Sequence, residues 1–285
     1  MDFLPRCKGF EIMDSISATS ALVLLMGRDY YTSASAKKFL NSINLDSGLA
    51  MKKLTDKIWL NYGEIVKNRK DSVYRTISNS SNEVSQVVIL AAGYDAQALN
   101  IVENIERFSV FEVDMYNMDD KAIKYDQILD QRIRKRISTI TCDVTSKNLI
   151  SKLENAGLDI QKSTIIVAEG ISYYLQYDQF WDIVSSFSLK NDRNRIVLDY
   201  MVPLHMMDFE NSVRMSGVFN IICDNVGINY LTMYEYEKIR KHVLYLKGKL
   251  VSHETLHKME LARTGKSTYF RADSRGGIET CSFDI

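Results

Sequence analysis

Apolar and polar positions change rhythm near residue 80. Upstream, apolar residues recur every three to four positions over Ser17–Tyr30, Ala34–Leu40 and Leu49–Ile77, which predicts helices. Ser78–Asn82 reads as a loop by composition. From Gln86 onward, short β-branched runs alternate with amphipathic stretches. The runs Val87–Leu90, Val110–Val113, Ile137–Cys142, Thr164–Ala168 and Arg195–Met201 predict strands. Between them, Asp95–Ile105, Asp119–Arg134, Ser146–Asn155 and Tyr177–Phe187 predict helices. This alternation is the βαβ pattern of a parallel sheet, and the unbroken apolar strands imply helices on both faces. After Pro203 the pattern breaks. Leu204–Val226, rich in Met and Phe, predicts an inserted helical cap. Tyr234–His242 predicts a helix with Thr232 as N-cap. Leu244–Leu250 and Glu279–Ile285 would add a last antiparallel pair at a sheet edge.

Composition narrows the class. The 285 residues are 46% hydrophobic and 25% charged, as in an ordinary globular protein. Lys+Arg and Asp+Glu both total 36, so the basic excess of a nucleic-acid binder is missing. The 4 cysteines, at 7, 142, 223 and 281, form no CxxC or zinc spacing. They read as free thiols of a reducing, cytoplasmic compartment, with no metal site. The start, MDFLPRCKGFEIMD, carries early charges and does not read as a secretory signal. The longest apolar runs, Ala21–Met26 and Val87–Ala92, fall far short of the ~20 residues of a membrane span.

The strand-like run Val87–Leu90 feeds a small-residue turn, Ala91-Ala92-Gly93, and the next strand ends in Asp114, 21 residues after Gly93. This is the layout of a nucleotide-cofactor site, where a small turn admits the ligand and an acid takes a ribose. A dinucleotide turn carries three glycines to seat a pyrophosphate on a helix N-terminus. Only Gly93 stands here, so a phosphate-free ligand fits better. S-adenosyl-L-methionine is such a ligand. Gly93 would approach its methionine portion, and Asp114 would accept from both ribose hydroxyls. A plain tight turn at Gly93 and a helix cap at Asp114 explain each residue about as well when taken singly.

Further acids stand at strand ends. Asp143, in Thr141-Cys142-Asp143-Val144-Thr145, could accept from an adenine amino group or cap the next helix. Glu169 follows the run Thr164–Ala168 and precedes Gly170, Tyr173 and Tyr174. An acid flush against an apolar strand requires a partner or a ligand. The tyrosines fit ordinary packing or a place beside the reacting groups.

VVILAAGYDAQAL, VFEVD, CDV and AEGISYYL, in this order and spacing, resemble the leucine carboxyl methyltransferase family. The resemblance covers roughly residues 15–200 and is strongest over 86–176. It implies an α/β, Rossmann-like fold: a mostly parallel seven-stranded sheet with helices on both faces. It further implies one methyltransferase domain over 1–285. N-terminal helices would span 1–82, the cofactor-binding core 83–202, the cap after strand five 203–243, and the last strands 244–285. The implied cofactor is S-adenosyl-L-methionine. Its contacts would come from Ala91, Gly93 and Asp95 in the turn, and from Glu112, Asp114 and Met115 at the second strand. Asp143, Val144, Glu169 and Gly170 would complete the set. Arg69, in Val66-Lys67-Asn68-Arg69-Lys70-Asp71, matches the family arginine that grips the methionine carboxylate bidentately. Arg28 matches a second recurrent arginine, and an ion pair with Asp29 would explain it equally. The chain departs from the family's GAGxDTR-like turn with Ala91, Ala96 and Gln97 at the Gly, Thr and Arg positions.

The expected activity is O-methylation of a carboxylate. Such an acceptor is ionised at pH 7 and needs no general base, so alignment and water exclusion would carry catalysis. Tyr173, Tyr174 and His205 are the candidates beside the acceptor. His205 is the first base to test if the acceptor is a hydroxyl, although a packed or surface histidine explains it too. The acceptor would be a small-molecule, carrier-bound or peptide carboxylate; neither nucleic acid nor membrane is expected as a partner, and the oligomeric state is unreadable. Two other readings stand: a catalytically silent cofactor or partner binder, and an NAD-dependent dehydrogenase, against which the missing glycines argue.

Overall fold

The computed structural model describes residues 16–80, 84–188 and 193–285. The segment read as lacking a signal, Cys7, and the end of the expected 78–82 loop lie outside the described residues. Four helices come first: α1 (Ala18–Gly27), α2 (Ala34–Asn41), α3 (Asp46–Ile58) and α4 (Tyr62–Asn79). The alternating region follows, with β1 (Gln86–Leu90), α5 (Gln97–Asn104), β2 (Ser109–Asp114), α6 (Met118–Ile128), α7 (Gln131–Arg134) and β3 (Ile137–Thr141). It continues through α8 (Leu149–Asn155), β4 (Thr164–Ala168), α9 (Tyr177–Ser188) and β5 (Arg195–Met201). The chain ends with α10 (Phe209–Val226), α11 (Tyr236–Tyr245), β6 (Lys249–Thr255), α12 (Leu256–Thr264) and β7 (Ile278–Asp284).

The seven strands form one sheet in the order β3-β2-β1-β4-β5-β7-β6. The first five are parallel, and β7 runs antiparallel between β5 and β6. The expected sheet and its antiparallel edge pair are therefore present. Period-two alternation sends Val87, Ile89, Ile165 and Val167 into one core and Val88, Leu90, Ile166 and Ala168 into the other. Both faces are buried, as the unbroken apolar runs require. Strand order reverses between β1 and β4, which opens a crevice at their carboxyl ends.

Several boundaries differ from the sequence reading. Leu49–Ile77 is two helices, because Trp59 turns extended (φ −145, ψ 90) between α3 and α4. Trp59 and Tyr62 lie on either side of the break in the same core, so apolar spacing runs through it unchanged. Asp119–Arg134 likewise splits at Leu129, and Asp130 then caps α7 by accepting from the Ile133 amide. The helix expected over 234–242 starts at Tyr236 and continues to Tyr245. Lys247 (φ 60) and Gly248 then turn the chain, so the strand expected over 244–250 begins at Lys249. A Cβ on Gly248 would sit 2.4 Å from the Asp284 carbonyl oxygen, so only glycine fits there. Leu244 and Tyr245, read as strand residues, lie on the exposed side of α11. Thr232 caps no helix: its amide donates to the Tyr173 carbonyl at 2.9 Å and its hydroxyl to the Leu175 carbonyl at 2.5 Å. It ties the cap to the loop after β4.

Candidate functional site

A cavity of about 610 Å³ occupies the carboxyl edge of the sheet. Its floor comes from the residues that follow β1, β2, β3 and β4: the 91–95 turn, Asp114–Tyr116, Asp143–Thr145 and Glu169–Leu175. Helices α1 and α4 wall it with Leu22, Val23, Tyr62 and Arg69. The cap adds Phe219, Ile222 and Val226 of α10, then Ile228 and Tyr230. One half is thus polar and acidic, and the other is aliphatic and aromatic.

The β1 turn is built for close approach. Gly93 has φ +47, and a Cβ there would meet only Ser20 Oγ, at 3.6 Å. The Gly93 amide donates to Asp114 Oδ2 at 2.9 Å, and the Tyr116 amide to Oδ1 at 3.1 Å. Each carboxylate oxygen still has lone-pair capacity for a ligand hydroxyl. Ala91 adopts φ 51, in the left-handed region that disfavours a side chain. Ala91→Gly is therefore expected to stabilise the fold by about 0.5–1 kcal/mol, once glycine's extra unfolded-state entropy is set against the relieved strain. Urea unfolding would detect this; a loss of stability would show that the turn is unstrained.

Behind the floor lies a charged cluster. Arg69 Nη1 donates to Asp199 Oδ2 and to the Tyr173 hydroxyl, both at 3.1 Å, and its Nε donates to Glu169 Oε1 at 3.1 Å. Lys70 donates to Asp95 and, at 3.2 Å, to Glu169. The Tyr31 hydroxyl also donates to Asp95, and the Gly170 amide donates to Asp199 Oδ1 at 2.6 Å. Counted as ionised, the cluster holds three carboxylates against two cations. Burial alone would raise the Asp95 carboxyl, but the Lys70 ammonium and the bonds it receives hold it below the usual range. Burial raises Asp199 despite Arg69, and pushes the Tyr173 phenol well above its ordinary value.

The structure brings Arg69, Ala91, Gly93, Asp95, Asp114 and Met115 to this cavity, together with Asp143, Val144, Glu169 and Gly170. Tyr173 and Tyr174 line it too, their rings edge-to-face at 4.8 Å. Three residues singled out from the sequence are not there. Glu112 is buried beneath the turn, bonded to Lys121 Nζ at 2.6 Å and the Tyr125 hydroxyl at 3.0 Å. It shares a face of β2 with Asp114 but lies two residues deeper in the strand, where its side chain meets α6 rather than the crevice. His205 is exposed on the short turn Leu204–Met206, away from the cavity lining. Arg28 bonds Asn41 Oδ1 at 2.6 Å and lies outside the cavity. Arg69 differs from the expected bidentate clamp: Nε and Nη1 are engaged by protein groups, and Nη2 lies over Gly170, 3.7 Å from where its Cβ would be. Asp143 accepts through Oδ1 from the Thr145 amide and hydroxyl, both at 2.8 Å.

Sequence reasoning missed Lys70, Asp199 and Lys121. An acid inside the apolar strand Arg195–Met201 was the signal for Asp199, as it was for Glu169. Lys70 and Lys121 sit among charged neighbours on helices, a pattern that reads as solvated surface.

Residues 34–188 match the family model of leucine carboxyl methyltransferase, more than half of the chain. The chain therefore belongs to the leucine carboxyl methyltransferase family, whose members are S-adenosylmethionine-dependent methyltransferases. It is similar in fold to a protein from Thermobifida fusca YX assigned as a methyltransferase, with TM-score 0.67, 14% identity and 96% of both chains covered. A DUF574 family protein from Streptomyces avermitilis MA-4680 superposes with TM-score 0.68 and 11% identity, covering 94% of this chain and 97% of the other. No curated protein matches the sequence. Among the described residues, no helix is long and apolar enough to cross a membrane.

Proposed function

We propose that the protein is an O-methyltransferase that esterifies the carboxylate of an apolar acceptor, within one methyltransferase domain. The observation that carries this reading is the division of the cavity. Its acidic floor suits an uncharged diol and the sulfonium and ammonium of the cofactor, and its apolar wall suits the body of an acceptor. The residues fit S-adenosylmethionine: Asp114 has acceptor capacity for the ribose, Gly93 has no side chain in the way, and Arg69 and Asp143 are among the lining residues. When bound, this cofactor supplies an electrophilic methyl group on a sulfonium, which the acceptor oxygen takes directly and in line.

The chain's own residues bind, orient and exclude water. Among the described residues lining the cavity, none is a histidine or a cysteine. Tyr173 and Tyr174 are neutral phenols, since burial raises both. An acceptor already ionised at pH 7 suits such a site, because no proton has to be removed. Phe219, Ile222 and Leu22 would hold its apolar body and keep water from the reacting atoms. The family membership sets the dehydrogenase reading aside.

The test uses labelled S-adenosylmethionine with decanoic acid as the acceptor probe. Alkali-labile methyl label in the acid is the expected result. Cofactor binding without transfer to decanoate or to a panel of apolar acids would point to a silent binder instead.

A further inference from the structure

We infer that Lys121 is a positioning residue: from beneath the sheet edge, it fixes the backbone of the cofactor turn through the Gly93 and Asp95 carbonyls. Its ammonium is fully buried and donates to Gly93 O at 2.8 Å, to Asp95 O at 2.9 Å and to Glu112 Oε1 at 2.6 Å. All three donor directions are thereby used. The other side of the turn is held from β2 and β1: Asp114 takes the Gly93 amide, and the Ala92 amide donates to the Val113 carbonyl at 3.0 Å. The carbonyls of Gly93 and Asp95 are turned to the buried ammonium, and the unobstructed Cα of Gly93 is left facing the cavity.

Two features argue that this is more than packing. A buried lysine–glutamate pair adds little stability compared with apolar residues of the same volume. Lys121 Nζ also stands 5.9 and 5.6 Å from the ring centroids of Phe39 and Tyr125, among apolar groups where a leucine or methionine would satisfy the core. Second, the turn it grips contains two left-handed residues, Ala91 and Gly93. One of these is an alanine that resists the conformation, so the loop needs external restraint. Glu112 neutralises the clamp, and Tyr125 satisfies its second oxygen.

This inference rests on the cofactor reading above, and wild-type protein separates the two. If wild-type protein does not bind S-adenosylhomocysteine by calorimetry, the cofactor reading falls and this inference with it. If it binds, three variants are compared by affinity and by thermal midpoint. Lys121→Met strands Glu112 and is expected to lower both. Glu112→Gln/Lys121→Met removes both charges, and is expected to recover the midpoint while its affinity stays about tenfold or more below wild type, as expected when a binding loop loses its register. Glu112→Gln alone keeps the lysine on both carbonyls and is expected to bind within about twofold of wild type. Wild-type affinity in the double variant would overturn the inference and leave the pair a packing element. So would a loss in Glu112→Gln as large as that in Lys121→Met.

Discussion

Arg69→Met is expected to destabilise the protein by about 3–5 kcal/mol, the range for removing one partner of a buried ion pair. The residue is 5% exposed, and three groups depend on it. Asp199, fully buried, would keep only the Gly170 amide and its own backbone surroundings as support. Tyr173 would lose its donor, and Glu169 would depend on Lys70 alone. Methionine fills much of the volume, so the loss reports charge and hydrogen bonding rather than a cavity. Urea unfolding gives the measurement, and Arg69→Met/Asp199→Asn is expected to recover part of the loss, because the stranded charge is gone. A single variant within about 1 kcal/mol of wild type would mean that the cluster is neither dry nor ionised as described.

The second large effect is on the ligand. Asp114→Ala is expected to weaken S-adenosylhomocysteine binding by more than about tenfold, as when a charged hydrogen-bonding group is lost. Two losses combine: the ribose acceptor itself, and the bond that fixes the Gly93 amide. Asp114→Asn keeps one acceptor oxygen but turns the other into a donor, so it should retain one of the two functions and fall between wild type and alanine. Titration calorimetry on folded variants decides. Unchanged affinity in both would remove the cofactor from this crevice.

The central strands β1 and β4 were legible because each is a near-continuous apolar run covered on both sides, and such runs have few other uses in a balanced, mid-sized chain. The acids at their ends were legible for a related reason: Asp114, Asp143 and Glu169 stand where apolar patterning stops. What was not legible depends on three-dimensional adjacency. Nothing local distinguishes Lys121, in the run Asp119-Asp120-Lys121, from a solvated helix lysine until Glu112 is seen beneath it. Glu112 itself was misplaced because VFEVD names two acids on one face of the strand, and only depth separates them: Asp114 ends β2 at the crevice, while Glu112 lies two residues inside. The break at Trp59 was hidden because both flanking helices face one core, and the β6 start was hidden because Leu244 and Tyr245 are apolar yet exposed. The role of Thr232 was unreadable for another reason: half of its grip comes from a main-chain amide, which no side-chain pattern announces.

The surplus of one negative charge in the Arg69–Lys70–Asp95–Glu169–Asp199 cluster bears on turnover. A guest that arrives with a net positive charge would balance the cluster, and after giving up its methyl group it would be neutral. If the cofactor binds there, attraction that helps loading would be weakened by the reaction itself, which would favour discharge of the spent molecule.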